Sequence, residues 1–229
     1  MIRKRVRSYK VGQQYNVDNW RNALLDVPAF LLGNSPSIDD YDLSVLKNSF
    51  TVGINRIFYR FDPTILIWQD SELWYNHRSD IERLKAIKYC RHYADPANRY
   101  YHFKLNNGDY RLPDSPTKLY GRGSTGPLAF QLAFLLGCNP IILVGMDCKC
   151  RNNKTDFYGN NPFHNPHTMN NCSKGLKWIK KSKSNRQIYS TSSNDVFENY
   201  ISLEEAVNKF RPPNPLNQSK LRKMILSAN

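Results

Sequence analysis

Residues 29 to 37 read Ala29-Phe30-Leu31-Leu32-Gly33-Asn34-Ser35-Pro36-Ser37, an apolar run that stops abruptly in small, polar, turn-forming residues. The pattern predicts a buried strand delivering its carboxyl end to a ligand. In open α/β sheets ligands sit beyond the strand ends, and a short loop of Gly, Asn and Ser lets backbone amides approach phosphate. The same residues also make ordinary turns, so the reading depends on what the other strand ends carry.

Working outward, Phe50 to Asn55 and Thr64 to Trp68 read as two further buried strands, ending in Asn55-Arg56 and in Gln69-Asp70-Ser71. From Ser71 to about Tyr89, the spacing of Leu73, Trp74, Ile81, Leu84 and Ile87 predicts a helix with Ser71 as its cap. Residues 90 to 120 give weaker signals: a strand over Tyr100 to Phe103 and a turn at Asn106 to Asp109. Ser124-Thr125-Gly126-Pro127 opens the clearest helix, almost wholly apolar from Leu128 to Leu136, and Gly137 closes it. A central strand, Ile141 to Gly145, then runs into Met146-Asp147. Helix followed closely by strand is a parallel-sheet unit.

Further on, a helix is expected over Cys172 to Lys181 with Leu176 and Ile179 facing inward, then a strand over Gln187 to Ser190. Ser202-Leu203-Glu204-Glu205 is a capping-box signature, and Pro212, Pro213 and Pro215 end the helix it opens. The expected fold is therefore α/β: one Rossmann-like domain over 26–210, with a mostly parallel sheet and helices on both faces. A basic arm at 1–25 and a Pro-containing basic tail at 211–229, with a short helix near Leu221 to Leu226, flank it.

Composition bounds the function. The 33 Lys and Arg against 19 Asp and Glu leave a net charge of +14, which predicts attraction to a polyanion: nucleic acid, anionic glycan or membrane surface. Arg3, Lys4, Arg5, Arg7 and Lys10 crowd the N-terminus, as a polyanion-seeking arm or as a solvated end. From Phe157 to Asn194 there is no acidic residue at all. No run approaches the ~20 apolar residues that cross a bilayer, and the N-terminus lacks the apolar core of a secretory signal, so the cytoplasm is the expected location. Five cysteines without a regular framework read as reduced thiols rather than a disulfide scaffold.

Gly33-Asn34-Ser35-Pro36-Ser37, Asn55 at its strand end, Ser124-Thr125-Gly126 before a long apolar helix, and Ile142-Leu143-Val144-Gly145-Met146-Asp147 together resemble the bacterial lipooligosaccharide sialyltransferases. They are equally reminiscent of the wider superfamily that holds archaeal 6-hydroxymethylpterin diphosphokinase-like proteins. The resemblance runs over about 29 to 205 through spaced motifs. It implies a metal-independent glycosyltransferase whose substrate is a nucleotide-sugar, a CMP-sugar favoured, with no further cofactor.

By the same resemblance Gly33, Asn34, Ser35, Ser37, Asn55, Ser124, Thr125, Gly126 and Asp147 are candidates to hold the nucleotide, and Asp70 and Ser71 join them as polar groups at a strand end. Thr191, Ser193 and Asn194 correspond to a loop closing over it. Ser35 stands where the family pattern has Gly, and a side chain there narrows the approach to phosphate. His167, followed by Lys174, Leu176 and Trp178, fits the placement of the family's general base, and an imidazole titrating near ~6.5 suits that task; His164 is its rival. Tyr158 is the candidate to stabilise the departing phosphate, although the family pattern has a pair of tyrosines.

Three readings stay open beside this one. Cys148, Cys150, His164, His167 and Cys172 have the residue types of a tetrahedral zinc site, in which His167 would be a ligand. The superfamily's other chemistry, diphosphate transfer to a pterin, would use the same strand ends with ATP and magnesium. A non-catalytic nucleic-acid-binding protein on the same fold is the third alternative. The acceptor is a hydroxyl on a glycan or on modified nucleic acid.

Overall fold

A computed structural model describes residues 17–160, 166–182, 184–192, 196–212, 214 and 216–227, with the backbone alone for 166–168. Eight strands, β1 (Ala29–Leu32), β2 (Phe50–Ile54), β3 (Ile65–Trp68), β4 (Ile87–Arg91), β5 (Tyr101–Asn107), β6 (Lys118–Gly121), β7 (Ile141–Val144) and β8 (Ile188–Ser190), form a single sheet in the order β6-β5-β4-β3-β2-β1-β7-β8. Every neighbouring pair is parallel. The sheet is thus wholly rather than mostly parallel, in one α/β domain of Rossmann-like architecture.

Among the described residues the α-helices are α1 (Ser71–Arg83), α2 (Thr125–Leu135), α3 (Pro166–Lys181), α4 (Leu203–Lys209) and α5 (Gln218–Ser227). Alternate strand residues feed two cores. Ala29, Leu31, Ile141 and Leu143 join side chains of α2, α3 and α5 on one face, and Phe30, Leu32, Ile142 and Val144 join those of α1 and α4 on the other. Both faces are covered, so β1, β2, β3 and β7 are buried at every residue, which is why each reads as an unbroken apolar run. Among the described residues no helix is long and apolar enough to cross a membrane.

Four sequence expectations shift. The helix expected to Tyr89 ends at Arg83, where Leu84 turns extended (ψ 145°). Ile87 then begins β4, with its N–H donating to the Thr64 carbonyl at 2.9 Å. Asp70 rather than Ser71 stands at the N-cap of α1. At the N-terminus, Val17, Trp20 and Leu24 are core residues, so the part of the expected arm that is described packs into the domain; residues 1 to 16 lie outside the described residues. The tail likewise contributes α5, whose Leu221 and Ile225 are buried. The capping box holds: the Glu205 N–H donates to Ser202 Oγ at 3.1 Å.

β1 lies inside the sheet between β2 and β7. The chain leaves β1 to build β2 through β6 on one side, then returns to place β7 and β8 on the other. The crevice between the carboxyl ends of β1 and β7 is therefore the topological switch point, where open α/β sheets bind ligands.

Candidate functional site

A cleft of about 450 Å³ opens at that switch point. Its walls come from the carboxyl ends of the strands: Gly33, Asn34 and Ser35 after β1, Asn55 and Arg56 after β2, Asp70 and Ser71 after β3, and Gly145 and Met146 after β7. The first turn of α2 adds Ser124, Thr125 and Gly126, and α3 adds Met169, Cys172 and Leu176. The turn at 155–159 folds across one side, with the Phe157 N–H donating to the Asn34 carbonyl at 2.9 Å, and brings Tyr158 to the rim.

Two glycines let the switch point close. A Cβ on Gly33 would lie 2.1 Å from the Gly145 carbonyl oxygen, so no side chain fits. Gly145 has φ +61° and touches Ile38 at the place a side chain would occupy. Two of the loop's amides are bonded within the sheet. The Gly33 N–H donates to the Val144 carbonyl (2.8 Å) and the Ser35 N–H to that of Gly145 (3.0 Å), so both are spent joining β1 to β7. Ser35 Oγ accepts the Asp147 N–H at 2.9 Å, which turns the side chain toward β7 and away from the narrowing the sequence implied.

The groups facing the cleft are of three kinds. Asn34 donates from Nδ2 to the Ile54 carbonyl at 2.9 Å, while its Oδ1 is buried and meets no partner among the described residues. Asn55 holds a left-handed backbone (φ +49°) where β2 turns into the helical turn at 55–59, a conformation that Asn tolerates better than most residues. The amino ends of α1 and α2 converge. Gln69, nearly buried, donates from Nε2 to Thr125 Oγ1 at 3.1 Å and ties the two together. Neither N-cap side chain bonds its own helix, and Ser124 Oγ donates to Cys172 Sγ at 3.7 Å instead. The first-turn N–H groups of α2 thus remain uncapped by Ser124 beside the cleft, with the positive end of the helix dipole behind them.

The electrostatic balance is unlike that of the chain. Among the described lining residues Arg56 is opposed by Asp70, Glu72 and Asp156, so the cleft is acidic although the protein is strongly basic. Arg56 itself lies 4.5 Å over the Tyr158 ring, a cation–π contact that holds the phenol at the rim. Cys148 and Cys172 meet in the wall; the hydrogen bond between their thiols, with burial, pushes the Cys148 thiol far above the ordinary thiol range.

Most of the expected residues converge. Gly33, Asn34, Ser35, Asn55, Asp70, Ser71, Ser124, Thr125, Gly126 and Tyr158 all line the cleft. Ser37 and Asp147 do not: Ser37 Oγ donates to Asp147 Oδ1 at 2.7 Å, both buried, as a brace beneath the loop. Nor does Thr191 close over the cleft. It is buried against Tyr41, whose hydroxyl donates to its carbonyl at 2.8 Å. Ser193 and Asn194, His164, and the side chain of His167 lie outside the described residues. The same holds for the histidines of the zinc alternative. Among the described residues no group of three or more His, Cys, Asp or Glu gathers as a metal site, and Cys150 is exposed.

The cleft also contains residues the sequence did not single out as site residues: Arg56, Glu72, Asn76 and Tyr93. Tyr93 lies just beyond β4, whose first residues fall in the stretch expected as helix to Tyr89, so the strand-end rule had no strand to apply to. Glu72 and Asn76 follow from α1 being capped at Asp70, since residues one turn apart share a helix face. Comparison with protein-family models, with curated proteins and with solved structures returned no match.

Proposed function

We propose that the chain is a glycosyltransferase of the sialyltransferase-like kind, moving a sugar from a nucleotide-sugar, a CMP-sugar favoured, to an acceptor hydroxyl without a metal cofactor. One observation carries the reading: Asn34, Asn55 and the uncapped amino end of α2 converge on one cleft at the switch point. The donor's phosphate sits against the first turn of α2, where N–H groups and the helix dipole favour an anion. Asn34, which lines the cleft, offers its amide to a ribose hydroxyl or to the base. Asp70 and Glu72 suit sugar hydroxyls, which donate readily to carboxylates.

In the transfer, His167 as base takes the acceptor's hydroxyl proton while the acceptor oxygen bonds to the anomeric carbon. The bond from that carbon to the phosphate oxygen breaks, and the nucleotide leaves with the electron pair. Tyr158 donates a hydrogen bond to the departing phosphate. His167 belongs to the first turn of α3, the helix whose Met169, Cys172 and Leu176 line the cleft. Calorimetry with CMP, UMP and their sugar conjugates tests the proposal. Binding of one of them, together with His167→Ala abolishing turnover at nearly unchanged donor affinity, is expected. Absence of affinity for all of them would reject it.

The acidic lining favours one second reading, diphosphate transfer from ATP to a pterin, because carboxylates beside a triphosphate hold magnesium. Magnesium-dependent consumption of ATP in the presence of a hydroxymethylpterin would select it.

A further inference from the structure

We propose that the outer face of α3, carrying Lys174, Lys177 and Lys181, docks the phosphodiester backbone of a nucleic acid outside the cleft. The inference concerns a surface separate from the cleft and stands whether or not the cleft transfers a sugar.

α3 has two faces. Met169, Cys172 and Leu176 form a wall of the cleft, and Leu176 and Ile179 are buried in the core. Opposite them Lys174, Lys177 and Lys181 are exposed at the i, i+3, i+7 spacing of one helical stripe. None of the three has an ion pair among the described residues; in this helix only Lys180 has one, to Glu198 at 2.9 Å. Like charges one turn apart destabilise a helix, and no acidic residue between 157 and 194 offsets them, so the helix itself gains nothing from the stripe.

Tyr110 packs on Trp178 of α3 (centroids 5.4 Å apart) and donates from its hydroxyl to the Arg122 carbonyl at 3.1 Å, holding Arg122 beside the helix. Asp109 lies 3.8 Å from the Arg122 guanidinium, but both are exposed and the pair is weak. Along the helix, the three lysines span roughly 10 Å, about three phosphate steps of ~3.4 Å along one strand.

Two contrasts narrow the partner. The described cleft lining carries three carboxylates against one guanidinium, so the lysine stripe outside it is the stronger attractor for a polyanion. A helix lying on a membrane needs large apolar side chains to sink into it. Among the described residues the exposed large apolar ones are Leu25, Tyr59, Tyr75, Tyr93, Tyr200, Met224 and Leu226, none of them in α3.

The test is fluorescence anisotropy of the full chain with a labelled 20-base-pair DNA duplex between about 50 and 200 mM salt. Binding should weaken linearly in log–log form as counterions are released. Combined Lys174→Gln, Lys177→Gln and Lys181→Gln should weaken binding at least about tenfold and lower the magnitude of the salt slope by about three, with each single substitution lowering it by about one. Lys104→Gln, Arg111→Gln and Lys118→Gln remove the same charge from the other side of the sheet and should leave binding within about twofold. Lys104 and Lys118 alternate with Phe103 and Leu119 of the α2-side core, and Arg111 stacks on Tyr120 at 3.8 Å. No duplex binding by the wild type at low salt would overturn the proposal, as would equal losses in the two triple variants. Loss of binding to heparin or to phosphatidylserine vesicles in the α3 variant, with duplex binding unchanged, would overturn it in favour of those partners.

Discussion

Gly33 and Gly145 stand against each other across the mouth of the cleft, so close that a single added methyl on Gly33 would penetrate the Gly145 carbonyl. Gly33→Ala is therefore expected to pry β1 from β7 at their carboxyl ends. Forcing a methyl group into a packed site costs about 1–3 kcal/mol. Urea unfolding should register that loss, and nucleotide affinity should fall with it. An alanine variant with wild-type stability and binding would mean that the strand ends are looser than described.

Asn34→Ala separates binding from folding. It removes one partly buried hydrogen bond, Nδ2 to the Ile54 carbonyl, which is worth about 1 kcal/mol. It also removes an amide side chain from the cleft lining. Calorimetry is expected to show at least a roughly tenfold weaker nucleotide, with a melting midpoint only slightly lowered.

Gln131, fully buried in α2, accepts the Tyr120 N–H at Oε1 (2.9 Å) and donates from Nε2 to the Tyr120 carbonyl (2.6 Å). The side chain thus stands in for a missing neighbour at the outer edge of β6. Gln131→Leu keeps the volume but leaves two buried backbone groups unpaired, at about 1–3 kcal/mol each. Urea titration should show a loss of that order, and amide exchange at Tyr120 should speed up.

Asp95 anchors the loop that carries Tyr93 to the cleft. Burial pushes its pKa up, but hydrogen bonds from His102 and from the N–H groups of Arg99 and Tyr100 outweigh this and hold it below the usual 3.8. A carboxyl depressed in the folded state adds stability that is present above its unfolded pKa and is lost as pH falls through the folded value. Wild type should therefore be more stable than Asp95→Asn at neutral pH, and the gap should narrow below about pH 4. Urea midpoints measured across that range check the sign.

How far the chain could be read depended on whether an element's signal was local. β1, β2, β3 and β7 are buried on both faces, so their apolar runs identify them, and the polar residues after each run mark the cleft. β4 was hidden because Ile81, Leu84 and Ile87 continue a helical spacing across the point where the backbone turns extended, with no Gly or Pro to mark it. β6 is four residues long with an exposed lysine at its start, and Gln131, distant in sequence, satisfies its edge. The bonds that spend the Gly33 and Ser35 amides on β7 were equally out of reach, because they depend on which strand lies beside β1. Composition revealed the basic charge but not its partition between an acidic cleft and a lysine-faced helix.

Because Ser35 and Asp147 are bonded across 112 residues of chain, the mouth of the cleft exists only once β7 has slotted in beside β1. A nascent polypeptide still short of residue 141 carries most of the strands and no grip. Nucleotide capture would then report a finished protein, and a ribosome-stalled product would be silent to it.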